Sequence, residues 1–231
     1  MKKLAVLTGA GISAESGIST FRDSDGLWEQ HNVMDVASID GWYKNPKLVL
    51  DFYNERRKQL ATVEPNAAHK ILYELEEHFN VCIITQNVDN LHERAGSTNI
   101  IHLHGELTKV RSVADEDTVY DIGYKPVNLG DTDKHGSQLR PHIVWFGEAV
   151  PMLNVAAGNV SQADIIAIIG TSLNVYPAAG LVNYKRNSVP VFLINPNDVN
   201  AFYIQNLTVI KQKATTGVAE MRDILVNGKR I

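Results

Sequence analysis

Two short polar stretches of the sequence contain residue types that could do chemistry. Gln86, Asn87 and Asp89 follow the apolar run 81–84, and His104 precedes a glycine further along the chain. An amide and a carboxylate two residues apart could hold a sugar, and an imidazole could move one of its protons near neutral pH. A polar loop and a structural histidine explain these residues equally well. Asn87, Asp89 and His104 are therefore candidate catalytic residues with an open structural alternative.

The elements that would position these residues are strands of one sheet. Apolar runs at 4–7, 81–84 and 165–169 indicate buried strands, and a polar turn follows each of them. In open α/β sheets, ligands bind outside the carboxyl ends of the strands. Strands that alternate with helices predict the α/β class, with a Rossmann-like doubly wound parallel sheet.

The turn after the first strand has the pattern Gly-x-Gly-x-x-Ala at 9–14. Glycines let a backbone approach a pyrophosphate, and the N–H groups at a helix start favour its negative charge. The pattern alone has many false positives, but its place directly after a strand strengthens it. It indicates a dinucleotide-binding turn.

Other elements follow from hydrophobic periodicity, and a composition shift between 112 and 140 predicts a small inserted β module. In the helix predicted at 64–79, the inward residues are Ile71, Leu72, Leu75 and Phe79. Further helices are predicted at 46–60, 155–163, 178–186 and 218–226, and further strands at 100–103, 142–147, 191–194 and 207–211.

Composition limits the partners and the compartment. The 231 residues are 44% apolar, and the net charge of -4 comes from interspersed charges, so neither a nucleic-acid partner nor a membrane partner is expected. The single cysteine, Cys82, can form neither an intrachain disulfide nor a cysteine-based zinc site. We expect a cytoplasmic protein, because one core cysteine suits a reducing compartment.

Several ordered motifs resemble those of the sirtuins, the NAD-dependent protein-lysine deacylases. The resemblance runs nearly from end to end and is far more specific than one glycine pattern. The motifs are Gly9-Ala10-Gly11-Ile12-Ser13-Ala14-Glu15-Ser16-Gly17-Ile18, Phe21-Arg22, Thr85-Gln86-Asn87-Val88-Asp89, His104-Gly105, Trp145-Phe146-Gly147-Glu148 and Gly170-Thr171-Ser172.

The resemblance implies one catalytic domain over residues 1–231, with NAD and an acylated lysine of a protein or peptide meeting in a cleft. Its Rossmann-like part would comprise 1–30, 80–110 and 141–231, with a helical insertion at 31–79 and a small module at 111–140. Removal of the acyl group would release nicotinamide and O-acyl-ADP-ribose.

The resemblance also implies roles for individual residues. His104 would be the general base on a ribose hydroxyl, with His102 as the alternative base on the opposite face of its strand. The residues implied to bind NAD are Gly9, Ala10, Gly11 and Ser13 along the dinucleotide, Phe21 and Arg22 in a closing loop, Gln86, Asn87 and Asp89 at the nicotinamide ribose and carboxamide, Gly170, Thr171, Ser172 and Asn195 at the phosphates and adenosine ribose, and Ala214 at the adenine.

Two further groups of residues would bind the substrate. The peptide would lie as a strand against Val144, Trp145, Phe146 and Gly147 and against the segment around Val175, although Trp145 and Phe146 could equally be core aromatics. Ala37, Tyr53 and Arg56 resemble the branch that removes succinyl, malonyl or glutaryl groups, because a hydroxyl and a guanidinium can bind a terminal carboxylate. The alternative is that Tyr53 and Arg56 are ordinary residues of an exposed helix.

The sequence departs from the family in the small module. Sirtuins usually carry two zinc-binding cysteine pairs there, whereas residues 111–140 contain no cysteine, so a thiolate zinc site is excluded. Asp131, Asp133 and His135 could be replacement ligands, but a solvated acidic loop is favoured. We predict a metal-free module, held by Val113, Val119, Tyr120, Ile122, Tyr124 and Leu139.

Three other functions stay open. The chain could bind NAD without turnover, or it could be an ADP-ribosyltransferase that passes ADP-ribose to a protein. A hydride-transferring dehydrogenase is the least supported, because its chemistry would leave nicotinamide attached to ribose.

Overall fold

A computed structural model describes residues 1–18 and 31–228 of the chain. It contains a six-stranded parallel sheet and a three-stranded antiparallel sheet. The strands are β1 (Lys3–Thr8), β2 (Asn80–Thr85), β3 (Ile100–His102), β4 (Gly105–Ser112), β5 (Val119–Asp121), β6 (Leu139–Ile143), β7 (Ile165–Ile169), β8 (Val191–Ile194) and β9 (Leu207–Ile210). The α-helices are α1 (Gly11–Ala14), α2 (Val33–Val36), α3 (Ile39–Lys44), α4 (Pro46–Leu60), α5 (Ala67–Glu74), α6 (Leu91–Ala95), α7 (Leu153–Gln162) and α8 (Ala214–Asn227).

The large sheet has the strand order β3-β2-β1-β7-β8-β9. In chain order, β2 and β3 are added on one side of β1. The chain then crosses to the other side of β1, where β7, β8 and β9 are added. This order is the Rossmann order 3-2-1-4-5-6, so the predicted fold class is confirmed. The order reverses between β1 and β7, where Thr8 pairs with Ile169 in register.

The central strands are apolar over almost their whole length because both faces of the sheet are covered. All five residues of β7 are buried, as are five of the six in β1 and in β2. One face packs against α7 and the 3-10 helix Ala178–Tyr184, and the other packs against α5 and α8. Continuous apolar runs are typical of parallel strands buried in this way. Cys82 of β2 is one of these buried residues.

The helix predictions are confirmed in type for the longer segments, with differences at their ends. α4 has the predicted bounds. The Asn45 side chain caps its start by accepting a hydrogen bond from the Leu48 N–H, and Pro46 occupies the first turn. The helix predicted from residue 64 begins at Ala67 instead, since the Asn66 side chain caps it, and a 3-10 turn, Leu75–Glu77, follows α5. Segment 178–186 forms a 3-10 helix rather than an α-helix.

The small sheet has the order β5-β4-β6. Its strands β4 and β6 extend across positions 110 and 140, where the sequence suggested that the module begins and ends. The strand predicted at 142–147 was wrong beyond Ile143. There the backbone of Phe146 leaves the sheet and bridges to Ser38 at the start of α3.

The small module is held differently from the prediction. Val113, Val119 and Tyr124 are exposed, so the prediction that they hold the module was wrong. Tyr120, Ile122 and Leu139 do pack, partly buried, against the core under α4. Their neighbours in this core include the buried side chains Leu107, Val110, Val127 and Ile143.

A buried ion-pair network joins this module to the segment after β6. Glu148 accepts two hydrogen bonds from Arg140, at 2.7 and 3.0 Å, and one from Arg111 at 3.0 Å. Its carboxylate also accepts from the Trp145 backbone N–H at 2.8 Å, and the Arg140 guanidinium lies 3.5 Å from the centre of the Trp145 ring. Burial would raise the pKa of Glu148, but the hydrogen bonds and charges of Arg140 and Arg111 lower it. Glu148 is therefore an ionised centre of this network.

Within the described ranges, every helix is too short or too polar to cross a lipid bilayer.

Candidate active site

The polar turns predicted to carry function meet at one edge of the large sheet. They follow β1, β2, β7 and β8 at the carboxyl ends of these strands, on both sides of the strand-order reversal. This reversal opens the crevice in which ligands of doubly wound sheets bind. The candidate site therefore lies at the place that this topology favours.

Asn87, Asp89 and Ser13 form a buried hydrogen-bonded group in this crevice. Ser13 Oγ donates to Asp89 Oδ2 at 3.0 Å, and Asn87 Nδ2 contacts Ser13 Oγ at 3.1 Å and the Gly9 carbonyl at 3.2 Å. Burial raises the pKa of Asp89, while bonds from the Leu91 N–H and the Ser13 hydroxyl work against this. The group ties the turn after β2 to the turn after β1.

His104 is oriented by a backbone carbonyl. Its Nδ1 lies 3.0 Å from Gln86 O, and because a carbonyl can only accept, Nδ1 must carry the proton. Neutral His104 then has its lone pair on Nε2. Burial lowers the pKa of His104, and the bond to Gln86 offsets only part of this effect, which favours the neutral ring at pH 7. The imidazole can therefore act as a base at Nε2.

The second polar turn, after β7, is joined to the first by side chains. Gln86 Nε2 donates to Thr171 Oγ1 at 3.2 Å, and Asn195 Nδ2 donates to Thr171 O at 3.1 Å. The structure thus brings together Gln86, Thr171 and Asn195 from the turns after β2, β7 and β8.

The glycines have a packing role at this edge. The Gly11 N–H donates to Gly170 O at 2.9 Å, and a Cβ on Gly11 would lie 2.7 Å from Gly170 Cα. Gly170 also has a φ of +64°, a conformation that favours glycine. These glycines let the turns after β1 and β7 touch, which adds to the approach to a pyrophosphate inferred from the sequence.

Other predicted cofactor residues lie outside this hydrogen-bonded group. Ala10 precedes α1, Ser172 follows Thr171, and Ala214 is the buried first residue of α8. The α8 start is fixed by Glu15, which accepts from the Thr215 N–H and hydroxyl, each at 2.9 Å. Phe21 and Arg22 lie outside the described residues.

Of the residues predicted to bind the substrate, Tyr53 and Trp145 are buried partners of each other. Trp145 Nε1 donates to the Tyr53 hydroxyl at 2.9 Å, and Trp145 is only 2% exposed, as the core-aromatic alternative proposed. Burial raises the pKa of Tyr53 to about 12. Arg56 lies on the same helix, where burial lowers its pKa and the charges of Tyr53 and Asp89 oppose that shift. Tyr53 thus keeps its proton and can donate it.

The segment expected to pair with a peptide is partly occupied. Phe146 is 43% exposed, but its N–H donates to Ala37 O and its carbonyl accepts from the Ile39 N–H. The Val144 N–H donates to His104 O at 3.0 Å, which places this segment beside the candidate base. Gly147, with a φ of +92°, and the exposed Val175 stay predicted peptide contacts.

His102 and Glu93 form a charged pair near the site, and the sequence does not indicate this pairing. His102 contacts Asn87 O through Nδ1 at 3.3 Å and Glu93 Oε1 through Nε2 at 2.5 Å, whereas His104 contacts Gln86. Glu106 is paired with Lys109 at 2.7 Å. His102 was predicted as an alternative base. Its partner Glu93 was not indicated by the sequence, because α6 is too short to show periodicity.

In the acidic loop of the small module, the Asp133 carboxylate is hydrogen-bonded to backbone groups of the same loop. Asp133 Oδ1 accepts from the N–H groups of His135 and Ser137 at 2.8 and 2.9 Å. Asp133 therefore caps a turn.

Comparisons with known proteins agree with this geometry. A sequence model described as the Sir2 family matches residues 9–177. An NAD-dependent protein deacylase of Helicobacter pylori is 57% identical over 226 residues, which cover 98% of each chain. One of Bacteroides thetaiotaomicron is 54% identical over 231 residues, covering 98% of this chain and 99% of the relative.

Solved structures show the same similarity. A Sir2 homologue in complex with NAD superposes with a TM-score of 0.86 at 40% identity, covering 97% of this chain and 91% of that one. A structure of Sir2 with a p53 peptide and NAD⁺ gives a TM-score of 0.78 at 32% identity, covering 97% of this chain and 93% of that one. The family match, the near full-length identity and the shared fold confirm the resemblance to the sirtuins, and the chain belongs to the Sir2 family.

Proposed function

We propose that this chain is an NAD-dependent protein-lysine deacylase. The observation that carries the proposal is His104, whose Nδ1–H is committed to Gln86 O at the edge where the Asn87–Ser13–Asp89 group lies. This arrangement presents an imidazole lone pair beside amide and carboxylate groups suited to a ribose. The names of the Helicobacter and Bacteroides relatives support it.

The crevice at the strand-order reversal fits a dinucleotide. Polar turns follow four neighbouring strands there, and the two central turns approach each other closely at Gly11 and Gly170. NAD supplies a glycosidic bond whose cleavage, with oxocarbenium character, releases nicotinamide. We assign Gln86, Asn87 and Asp89 to the nicotinamide ribose and carboxamide.

The remaining cofactor residues would hold the rest of the dinucleotide. Support comes from their placement around the crevice and from the related structures that contain NAD. They are Gly9, Ala10, Gly11 and Ser13 after β1, Gly170, Thr171 and Ser172 after β7, Asn195 after β8, and Ala214 at the start of α8.

His104 would take a proton from a ribose hydroxyl through Nε2. A positioned general base typically contributes about 10²–10⁴-fold in rate. The acyl-lysine supplies its own oxygen nucleophile, so the protein needs no covalent nucleophile. The chain's part is to orient the sugar through Asn87 and Asp89 and to accept the proton.

We also propose a preference for acyl groups that end in a carboxylate. Tyr53 keeps its hydroxyl proton, and Arg56 lies one turn further along α4, so a hydrogen-bond donor and a guanidinium share one helix face. The adjacent Arg57 is used differently, because it donates to Leu107 O and to Asn54. Together with the small side chain of Ala37, this arrangement suits succinyl or malonyl groups.

One experiment tests the activity and separates it from its rivals. Acetyl, succinyl and malonyl forms of one peptide are incubated with labelled NAD, and products are identified by mass. We expect nicotinamide, free lysine and O-acyl-ADP-ribose, with His104→Ala about 10²–10⁴-fold slower and the exposed His78→Ala unchanged.

The other products of this experiment have defined meanings. NAD binding without nicotinamide release would show a module that has lost turnover. Label on the protein would show an ADP-ribosyltransferase. Equal rates for all three peptides would refute the proposed acyl preference but leave the deacylase intact.

A further inference from the structure

Three consecutive carbonyls of the turn after β2 are held by residues of β3, of β4 and of the link between them. Gln86 O accepts from His104, Asn87 O contacts His102 Nδ1, and Val88 O accepts from the Leu107 N–H at 2.7 Å. The turn that carries Asn87 and Asp89 is therefore shaped by two imidazoles and one backbone amide. His102 is the last residue of β3, and His104 lies in the link between β3 and β4.

The protonation state of His102 follows from its two partners. One ring nitrogen faces the Asn87 carbonyl, which only accepts, and the other faces the Glu93 carboxylate at 2.5 Å. A neutral ring carries one N–H and can satisfy only one of these acceptors. The imidazolium satisfies both, and the ion pair with Glu93 stabilises it.

We propose that His102 and Glu93 form a positioning pair, in which the His102 imidazolium fixes the Asn87 carbonyl and so holds the NAD-binding turn in its active shape. The proposal rests on the deacylase function proposed above. In this role both residues act through Asn87 and neither touches the reacting atoms.

The surroundings of His102 favour its charged form. Glu93 and His92 face it from α6, Glu106 from β4 and Asp89 from the turn itself, while Lys109 pairs with Glu106. Burial would lower the pKa of His102, but the hydrogen bond and charge of Glu93, with help from Glu106, raise it. Burial would raise the pKa of Glu93, and His102 lowers it.

The two histidines then give opposite pH limbs. His104 must be neutral, so activity is lost as the pH falls through its lowered pKa. His102 must be charged, so activity is lost as the pH rises through its raised pKa. A dependence of kcat/KM for NAD on both groups is bell-shaped.

Glu93→Gln tests the pair, because it keeps the side-chain shape and removes the charge. We expect the alkaline limb of kcat/KM for NAD to move by roughly one pH unit or more toward neutral pH, with the acid limb unchanged. His102→Gln should lower kcat/KM about tenfold at pH 7 and abolish this alkaline limb. The control Glu77→Gln changes an exposed carboxylate elsewhere and should alter neither limb.

A second readout does not depend on activity. The ¹⁵N shifts of the His102 ring, assigned by their loss in His102→Gln, should report an imidazolium at pH 7 that titrates at lower pH in Glu93→Gln. A neutral His102 in the wild type, or an alkaline limb that Glu93→Gln leaves in place, would overturn the pairing role. A wild type that releases no nicotinamide would instead overturn the deacylase function and would leave the NMR result interpretable.

Discussion

At the scale of single residues, Arg56 is the position at which the proposed acyl preference can be tested. Its guanidinium can bind a carboxylate bidentately, whereas an acetyl group offers no charge. We expect Arg56→Met to slow desuccinylation about tenfold to a hundredfold, since a charge-assisted contact is worth about 1.5–3 kcal/mol. Deacetylation should change much less, and initial rates with the two peptides measure the difference.

A matched control for Arg56 lies on the same helix. Lys58 is exposed and pairs only loosely with Glu55 at 3.9 Å, so Lys58→Met should leave both rates unchanged. Equal losses on both peptides in Arg56→Met would show a structural role for this arginine.

Single residues also show what the sequence could and could not predict. Gln86, Asn87, Asp89 and His104 were found because they follow apolar strands in a recognisable order. The proton on His104 Nδ1 and the His102–Glu93 pair were not found, because they depend on which carbonyl lies within about 3 Å of a ring nitrogen. The individual cofactor and substrate assignments stay predictions.

At the scale of elements, the bounds of helices and strands were predicted best where the element is long or where capping residues or an apolar run mark its ends. α4 and β7 have the predicted bounds because a capping Asn45 with Pro46 begins one and an unbroken apolar run defines the other. The helices α2 and α3 lie within the predicted helical insertion at 31–79 but were not delimited, and α6 was missed, since each is at most six residues long and shows no full period.

The Glu148 network gives a prediction for the small module. Glu148→Gln keeps the shape but leaves Arg140, whose side chain is 6% exposed, without a counter-charge, and leaves Arg111 with only Glu116 at 3.8 Å. Removing one partner of a buried ion pair typically costs about 3–5 kcal/mol, so thermal unfolding should begin at a clearly lower temperature.

The comparison for this variant is an exposed pair. Glu55→Gln removes the partner of Lys58 at the surface, where an ion pair contributes about 0–1 kcal/mol. Glu148→Gln and Glu55→Gln proteins with the same unfolding temperature would show that the network does not hold the module.

At the scale of the whole molecule, we expect two buried histidines to lower the stability of the protein at acid pH. The ring centroids of His69 and His92 are 4.9 Å apart, and both residues are fully buried. Among the described residues, neither His69 nitrogen has a hydrogen-bond partner, while His92 contacts Thr8. Burial lowers the pKa of His69 to about 4 and that of His92 well below its usual value.

The direction of this effect follows from proton uptake on unfolding. Unfolded histidines bind protons below about pH 6.5 and the folded ones do not, so stability is full above that pH and falls as the pH drops. We expect a loss of about 2 kcal/mol from His69 at pH 5, and a further loss in the same direction from His92. Chemical denaturation at pH 7 and pH 5 measures this loss.

His69→Phe isolates one of the two contributions. It keeps an aromatic ring beside His92 and should reduce the loss at pH 5 by about 2 kcal/mol. The exposed His78→Gln should retain the full loss. An unchanged pH dependence in His69→Phe would place the acid sensitivity elsewhere.

The architecture of the whole molecule was largely predictable, while the join between its parts was not. Alternating strands and helices predicted the doubly wound sheet and the edge where its polar turns meet. The small sheet could not be delimited, because β4 and β6 run past the composition shift used to define it. Its buried arginines pair with a glutamate that follows them by 8 and 37 positions, a spacing without any local signature.

Cys82 has a practical consequence. Its thiol is shielded within β2, and burial raises its pKa to about 11, so at neutral pH it is a poor nucleophile. Maleimide dyes or spin labels should therefore react selectively with a cysteine introduced at the surface. Distances between the small sheet and the large one could then be followed during turnover without first removing the native sulfur.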